Sequence, residues 1–245
     1  MTEWQSVNTF QDLNDNDVHI WLFHLNTTPP GIKRFYPLLS IDEKERSERF
    51  IDFMHRKRFI ASHGFLRSVL SLYLDIPAEE LEFTKGDNGK PFLIQDDTEH
   101  TIHFNLSHSQ HLAMVAVCKH HEIGIDVECM ERNHEWKKLI LRFFTPPEQD
   151  AIFSLPEDQQ HDAFFQVWTR KEAHMKVTGK GLHLGPTQFT VSVPPQPAAL
   201  IEDKHVENVN QWSMRSLELP TSARHYCATF SVEGRIDSVK HFIFN

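Results

Sequence analysis

Cysteine is scarce in this chain of 245 residues, which contains only Cys118, Cys129 and Cys227. An odd and scattered set argues against a disulfide framework or a cysteine-rich zinc site, and it is typical of a reducing compartment. Residues 1–10 lack a basic segment followed by an apolar run, so we expect no signal peptide. No apolar run approaches the length that spans a bilayer. We therefore expect a cytoplasmic protein without a membrane segment.

Positive charge is also in short supply. The chain has 25 Lys and Arg residues against 34 Asp and Glu residues, a formal net charge of −9. This balance argues against a nucleic-acid-binding protein that relies on overall basicity, and an acidic partner would have to meet a local basic patch. With 40% hydrophobic and 24% charged residues, the composition is globular. The length fits one large domain or two small ones.

Hydrophobic periodicity and turn signals predict a mixed α/β chain. The predicted strands are residues 18–25, 81–84, 102–106, 112–118, 123–129, 189–193, 212–217, 226–232 and 239–244. The predicted helices are residues 40–74, with a break near 52–55, and residues 133–144, 145–154 and 158–177. Capping boxes begin the helices at Ser40 and Thr145. A helix followed by strands occurs once before Lys119 and once after it, which suggests two related halves.

The stretch around which we expect a site to form is residues 167–182, V-W-T-R-K-E-A-H-M-K-V-T-G-K-G-L. Trp168, Glu172 and Lys176 are four residues apart and share one helix face. In the predicted strand 123–129, Asp126 and Glu128 point to the same side, because side chains alternate along a strand. Together the two segments could bring three carboxylates to one point, and such an oxygen donor set suits a hard cation such as Mg²⁺.

Two further segments could bind phosphate, although each has an ordinary structural explanation. The helix of residues 40–74 carries a basic side that includes Arg46 and Arg58, and such charges usually form a solvated helix face. The sequence Ser107-His108-Ser109 follows a predicted strand, where a loop histidine could donate to a phosphate. Residues 85–93 predict a hairpin turn, which Pro91 stiffens at its exit.

Five motifs occur in order along the chain. They are Gly89-Lys90-Pro91, Asn105-Leu106-Ser107-His108-Ser109, Gly124-Ile125-Asp126-Val127-Glu128, Phe143-Phe144-Thr145 with Glu148, and Trp168-Thr169-Arg170-Lys171-Glu172-Ala173 with Lys176 and Gly179-Lys180-Gly181-Leu182. Over residues 40–182 the chain resembles the 4′-phosphopantetheinyl transferases. The resemblance is to the larger, pseudo-dimeric (surfactin-synthetase-activating) class, in which one chain holds two similar halves. His174 and Met175 stand where that family often has an aromatic and an aliphatic residue, and we expect no loss of chemistry from this departure.

The resemblance implies a transferase that moves the 4′-phosphopantetheine arm of coenzyme A to a serine of an apo acyl or peptidyl carrier protein and releases 3′,5′-ADP. It implies Mg²⁺ at Asp126, Glu128 and Glu172, with Glu172 or a metal-bound water as the base. Lys176 would contact the pyrophosphate. Further implied coenzyme A contacts are Arg58, Ser107 and His108 at the 3′-phosphate, Lys90 and Pro91 at the adenine, and Arg46.

The same resemblance predicts the architecture, an α/β fold with an N-terminal half of residues 1–120 and a C-terminal half of residues 121–245. We expect a pseudo-twofold axis between the halves, the site in the cleft between them, and a monomer. Residues 133–144 are locally basic, and they suggest a docking surface for an acidic carrier protein at Trp136, Lys137, Lys138, Leu141 and Arg142. The alternative for this segment is a surface helix with its apolar face in the core.

Two other functions stay open at this point. A catalytically degenerate relative would bind coenzyme A or a carrier protein without transfer, and loss of an acidic ligand would favour it. A Mg²⁺-dependent phosphohydrolase would use the same carboxylates with an activated water in place of a docked serine. The residues do not distinguish fatty-acid, polyketide and non-ribosomal-peptide carriers.

Overall fold

A computed structural model describes residues 2–7, 9, 12–25, 27–86, 89–95, 101–131, 135–179 and 185–245. The strands are β1 (Trp4–Ser6), β2 (Asp17–His24), β3 (Phe83–Lys85), β4 (Pro91–Leu93), β5 (Ile102–Ser109), β6 (Leu112–Lys119), β7 (Ile123–Cys129), β8 (Phe189–Val191), β9 (Leu200–Asp203), β10 (Trp212–Ser216), β11 (Tyr226–Glu233) and β12 (Ser238–Ile243). The helices are α1 (Pro29–Phe35), α2 (Ile41–Glu48), α3 (Phe53–Leu74), α4 (Trp136–Phe143), α5 (Pro146–Phe153) and α6 (Glu157–Val177). The predicted α/β class is confirmed.

The larger sheet has the strand order β1-β12-β2-β6-β5. Strand β12, from the C-terminal end of the sequence, lies between β1 and β2 and is parallel to both. The pairs β2–β6 and β5–β6 are antiparallel. One face of this sheet packs on α3 through a core that includes Trp21, Phe65 and Phe242.

The smaller sheet has the order β10-β11-β7 and is antiparallel throughout. It packs against α6, which contacts β7 and β11. Two three-stranded units, β2-β6-β5 and β7-β11-β10, have the same pairing order. In each unit the strand that comes first in the sequence pairs with the strand that comes last, and the last strand also pairs with the middle one. Each unit also has its long helix, α3 or α6, between its first and middle strands.

Local signals begin the helices where the sequence predicts. At α2, Ser40 Oγ accepts from Glu43 N at 3.2 Å and the Glu43 carboxylate accepts from Ser40 N at 2.9 Å, so the capping box is complete. The predicted break falls between α2 and α3, where Asp52 Oδ1 accepts from His55 N at 2.8 Å. At α5, Thr145 and Glu148 form the second capping box.

Several elements differ from the sequence predictions. No helix was predicted before residue 40, whereas α1 begins at Pro29, because proline fits the first turn of a helix, where no amide donor is needed. Strand β5 continues through Ser109, so His108 lies in a strand and not in a loop. The short strands β1 and β9 were not predicted.

Some predictions fall outside the described residues. These are the turn at Asp87 and Asn88, the start of the predicted basic helix at Arg132 and Asn133, and the Lys180-Gly181-Leu182 part of the last motif. Among the helices that the structure describes, none is long and apolar enough to cross a membrane.

Candidate active site

Strand β5 lies beside β7, where the two sheets meet. Every second side chain of β5 faces β7, because side chains alternate along a strand. The backbone N–H groups of Ile125, Val127 and Cys129 donate to the side-chain oxygens of Asn105, Ser107 and Ser109 at 2.9, 3.3 and 3.2 Å, respectively. These side-chain oxygens accept the hydrogen bonds that the carbonyl oxygens of a neighbouring strand would otherwise accept. They thereby fix the register of β5 against β7. We call these three bonds the β5–β7 ladder.

Gly124 explains how β7 comes so close to α6. A Cβ atom at this position would lie 2.1 Å from the carbonyl oxygen of Ala173 and 2.6 Å from the amide nitrogen of Val177. Both neighbours are backbone atoms of α6 and cannot move aside independently. The glycine of the G-x-D-x-E motif therefore permits the contact that places Asp126 next to Lys176.

Asp126 is the most enclosed of the predicted metal ligands, with 4% of the residue exposed. Its Oδ1 accepts from Lys176 Nζ at 2.7 Å and from Ser107 Oγ at 3.0 Å. Its Oδ2 is buried and has no hydrogen-bond partner among the described residues. Glu128 is half-buried, and its Oε2 accepts from Ser109 Oγ at 2.8 Å.

Glu172 is the third carboxylate of the site. Burial raises its pKa to about 7, and the negative charges of Asp126 and Glu128 act in the same direction, against the opposing effect of Lys176. A carboxyl responds in this way when it shares a poorly solvated site with like charges. The structure thus brings together the three carboxylates and the lysine that the sequence predicts.

The geometry of this site meets only part of what a bound metal ion requires. Among the described residues, no group of three or more His, Cys, Asp or Glu side chains is arranged closely enough to hold a metal ion. The unpartnered Oδ2 of Asp126 and the raised pKa of Glu172 nevertheless indicate negative charge that Lys176 alone does not offset. A donor set made only of carboxylate oxygens is one that Mg²⁺ prefers.

A cavity of about 880 Å³ opens in front of these carboxylates, and both sheets contribute to its wall. The residues that line it include Asp126, Glu128, Glu172, Lys176 and Trp168. Of the residues predicted to bind coenzyme A, Arg46, Pro91, Ser107 and His108 also line it. The volume lies toward the upper end of the range for small-molecule sites.

His108 lies close to basic side chains of the cavity wall, among them His63 and Lys176. The His108 side chain is open to the solvent within the cavity yet surrounded by protein, and this poor solvation lowers its pKa to about 4. The positive charges of His63, Lys176 and Arg58 add to the effect. Near neutral pH the His108 imidazole is therefore uncharged, and it can still donate a hydrogen bond to a phosphate that the nearby positive charges attract.

Two predicted coenzyme A contacts lie elsewhere, since neither Lys90 nor Arg58 is among the described residues that line the cavity. Lys90 Nζ donates to Glu122 at 2.5 Å and to the carbonyl oxygens of Ile123 and Val177 at 3.2 and 3.0 Å. It thereby ties the β3–β4 hairpin to β7 and α6. Arg58 donates to Gln110 Oε1 at 3.1 Å.

Sequence reasoning missed the buried ion pair between Lys171 and Glu148, although both residues belong to the quoted motifs. Lys171 Nζ lies 2.9 Å from each Glu148 carboxylate oxygen and 2.9 Å from the Phe189 carbonyl oxygen. The Glu148 carboxylate also accepts from Thr145 N and Val191 N, both at 2.8 Å. The pair joins α5, α6 and β8 behind the site. The sequence signal that could have indicated this ion pair is a lysine on the apolar side of a helix.

The surroundings of His174 explain why this residue departs from the family pattern. It is fully buried, with Nε2 2.8 Å from Asp203 Oδ2. Its ring packs against Phe189 and Trp212 at centroid distances of 4.8 and 4.6 Å. The residue therefore fills the core between α6 and β9 and faces away from Glu172 and Lys176.

Helix α4 presents a mixed surface beside the site. Ile140 is fully buried, whereas Leu141 is 64% exposed, because consecutive helix residues point in different directions. Trp136 is half-buried against Phe164 at a centroid distance of 6.2 Å. The exposed Lys137 and Lys138 lie near glutamates, and Arg142 lies over the ring of Phe143.

The fold and site define an α/β protein in which two units of equal strand order enclose a carboxylate-rich, partly cationic cavity. Residues 26–120 match the family model described as 4′-phosphopantetheinyl transferase, N-terminal, and residues 122–231 match the 4′-phosphopantetheinyl transferase superfamily. The chain is 36% identical over 205 residues to 4′-phosphopantetheinyl transferase HetI of Nostoc, which covers 84% of each chain. The chain therefore belongs to the 4′-phosphopantetheinyl transferase superfamily.

Two other similarities complete the comparison. The chain is 30% identical over 175 residues to 4′-phosphopantetheinyl transferase Sfp of Bacillus subtilis, a match that covers 71% of this chain and 75% of that one. A solved holo-(acyl-carrier-protein) synthase of Bacillus anthracis, in complex with coenzyme A (3′,5′-ADP), is 22% identical with a TM-score of 0.32. That match covers 41% of this chain and 91% of the other.

Proposed function

We propose that this protein is an enzyme that transfers the 4′-phosphopantetheine arm of coenzyme A to a serine of an apo carrier protein. The reaction depends on Mg²⁺ and releases 3′,5′-ADP. The observation that carries the proposal is the meeting of three carboxylates and Lys176 in one cavity whose wall also includes Arg46 and His108. The names of the relatives, which are 4′-phosphopantetheinyl transferases, support the same activity.

The chemistry that the site can perform follows from its charges. Asp126, Glu128 and Glu172 would hold Mg²⁺, which when bound supplies positive charge at the pyrophosphate. Lys176 is within reach of the same region and would donate to an oxygen of the leaving bisphosphate, since phosphoryl transfer depends mainly on positioning and charge stabilisation. Glu172 would accept the proton of the attacking serine.

The donor would lie along the cavity with its adenosine 3′-phosphate near His108. His108 would bind that phosphate, and Arg46 and Pro91 line the same wall. For Lys90 and Arg58 we propose an indirect role. Their hydrogen bonds hold the hairpin and the end of β5 in place, and the cavity wall depends on both.

The division into halves of residues 1–120 and 121–245 remains part of the proposal, as do the pseudo-twofold axis, the monomeric state and the cytoplasmic location. The equal strand order of the two units and the meeting of the two family models between residues 120 and 122 support the division. Strand β12 is the exception, because it belongs to the second half in sequence and to the larger sheet in space.

The carrier protein would dock on α4 at Trp136, Lys137, Lys138, Leu141 and Arg142. The exposed Leu141 beside basic residues supports an acidic partner with an apolar spot. Replacing Lys137 and Lys138 with glutamate should raise the Michaelis constant for an acidic carrier at low salt, and the deficit should narrow with salt because screening weakens surface charge. Coenzyme A affinity should not change. An unchanged Michaelis constant for the carrier at low salt would place docking elsewhere.

The test of the function is to incubate the protein with coenzyme A, Mg²⁺ and an apo carrier protein. Mass spectrometry should show the carrier gaining one phosphopantetheine arm. The variant Asp126→Ala serves as the inactive control, provided that its far-ultraviolet circular dichroism matches that of the wild type. Release of free phosphate would indicate the phosphohydrolase instead, and binding without any product would indicate a degenerate relative.

A further inference from the structure

The two serines of the β5–β7 ladder each make two hydrogen bonds toward β7. Ser109 Oγ accepts from Cys129 N at 3.2 Å and donates to Glu128 Oε2 at 2.8 Å. Ser107 Oγ accepts from Val127 N at 3.3 Å and donates to Asp126 Oδ1 at 3.0 Å. In both cases the hydroxyl binds the backbone of one residue and the carboxylate of the residue before it.

This repetition follows from strand geometry. Ser107 and Ser109 are two residues apart on β5, and Asp126 and Glu128 are two residues apart on β7, so each pair lies on a single face of its strand. The N–H bonds of the ladder fix the register, and a slip by one residue would turn both carboxylates to the opposite face. The Ser-x-Ser sequence of β5 is thereby matched to the Asp-x-Glu sequence of β7.

We infer that Ser109 is a positioning residue for the metal site, and that it acts by holding the Glu128 carboxylate in place. This inference rests on the proposed function. Glu128 is half-buried and has a long side chain, so an unrestrained carboxylate would lose rotamer freedom on binding a cation. Its Oε2 is held by Ser109 from the opposite sheet. A ligand that is already oriented by an outer hydrogen bond binds its metal more tightly.

The role is distinct from that of Ser107. Ser107 is bonded to Lys176 Nζ at 2.9 Å as well as to Asp126, and it lines the cavity, so a substitution there would disturb several groups at once. Ser109 is 4% exposed and is not among the described residues that line the cavity. An effect of Ser109 on the site must therefore pass through β7.

The experiment measures Mg²⁺ affinity directly, by isothermal titration calorimetry with coenzyme A present and no carrier protein. Ser109→Ala should weaken Mg²⁺ binding 10- to 100-fold, the usual effect of losing an outer hydrogen bond to a metal ligand. Ser109→Thr keeps the hydroxyl and should restore most of the affinity. The control is Ser213→Ala, which removes a half-buried strand hydroxyl that donates to the Gly234 carbonyl oxygen, and it should bind Mg²⁺ as the wild type does.

A double-mutant comparison keeps the inference testable if the threonine variant does not fold. In a Glu128→Ala background, Ser109→Ala should cause no further loss of Mg²⁺ affinity, because its target has been removed. A full additional loss in that background, or wild-type affinity in Ser109→Ala alone, would overturn the positioning role. Failure of the wild type to bind Mg²⁺ with coenzyme A would instead remove the metal assignment of the proposed function.

Discussion

Replacing Glu172 with glutamine should make the metal-free protein more stable above neutral pH, although it removes the proposed base. The cause is the enclosure of the Glu172 carboxylate. Burial and the neighbouring charges of Asp126 and Glu128 raise its pKa from 4.5 to about 7. The folded protein thus resists ionisation of this group, whereas the unfolded chain does not.

The sign and size of this difference in stability follow from the linkage between proton binding and folding. A carboxyl whose pKa is raised by folding contributes its stabilisation in full below its unfolded pKa and loses it as the pH rises through the folded pKa. The difference between 4.5 and about 7 corresponds to about 3 kcal/mol at most. Glu172 is only half-buried, so solvent screens part of this penalty. We expect about 1–2 kcal/mol at pH 8 and almost nothing at pH 4, which lies below the unfolded pKa.

Urea unfolding in the presence of a chelator measures this difference. The Glu172→Gln protein should exceed the wild type in free energy of unfolding at pH 8 and match it at pH 4. Adding Mg²⁺ with coenzyme A should stabilise the wild type more than the variant, because only the wild type keeps all three carboxylates. Glu202→Gln, which changes an exposed carboxylate in β9, is the matched control. An equal difference at both pH values, or a variant less stable at pH 8, would refute the argument.

Three further predictions concern other parts of the same site. Gly124→Ala should cost about 2–3 kcal/mol of stability, the range for overpacking, because its Cβ would lie 2.1 Å from the Ala173 carbonyl oxygen; an unchanged thermal midpoint would contradict this. Lys171→Met should destabilise the protein by about 3–5 kcal/mol in urea unfolding, because it leaves the buried Glu148 carboxylate without its cation; a loss below 1 kcal/mol would assign the pair no structural role. His108→Ala should raise the Michaelis constant for coenzyme A more than it lowers turnover, because it acts on a phosphate remote from the bond that breaks. The effect should vanish with dephospho-coenzyme A, and a variant that still prefers coenzyme A as the wild type does would separate His108 from the 3′-phosphate.

The site shows why local patterns predicted so much of this protein. Asp126 and Glu128 share a face because β7 is a regular strand, and Glu172 and Lys176 share a face because α6 is a regular helix. These relations depend only on the periods of strand and helix. Helix starts with a capping box, such as that at Ser40, also depend on residues within one turn. Order along the chain was sufficient to indicate the family.

Features that depend on distant residues were not predictable in the same way. The family resemblance implied that Lys90 contacts coenzyme A, yet its position relative to Glu122 and Val177 is decided by how the hairpin packs. Strand β12 joins the larger sheet although most of the chain separates it from β2 in sequence. Strand pairing of this kind is set by tertiary packing and by which edge is open, neither of which a local pattern records.

The sequence by itself determined which residue types carry the chemistry and on which face of each element they stand, because those relations have the period of a single helix or strand. The tertiary structure alone decided that β5 lies against β7, so that Ser107 and Ser109 meet the carboxylates of Asp126 and Glu128. It also decided that Glu172 is enclosed enough to hold its proton to about pH 7. Solvation and register between separate segments arise only when the chain is packed, since each depends on every neighbour at once.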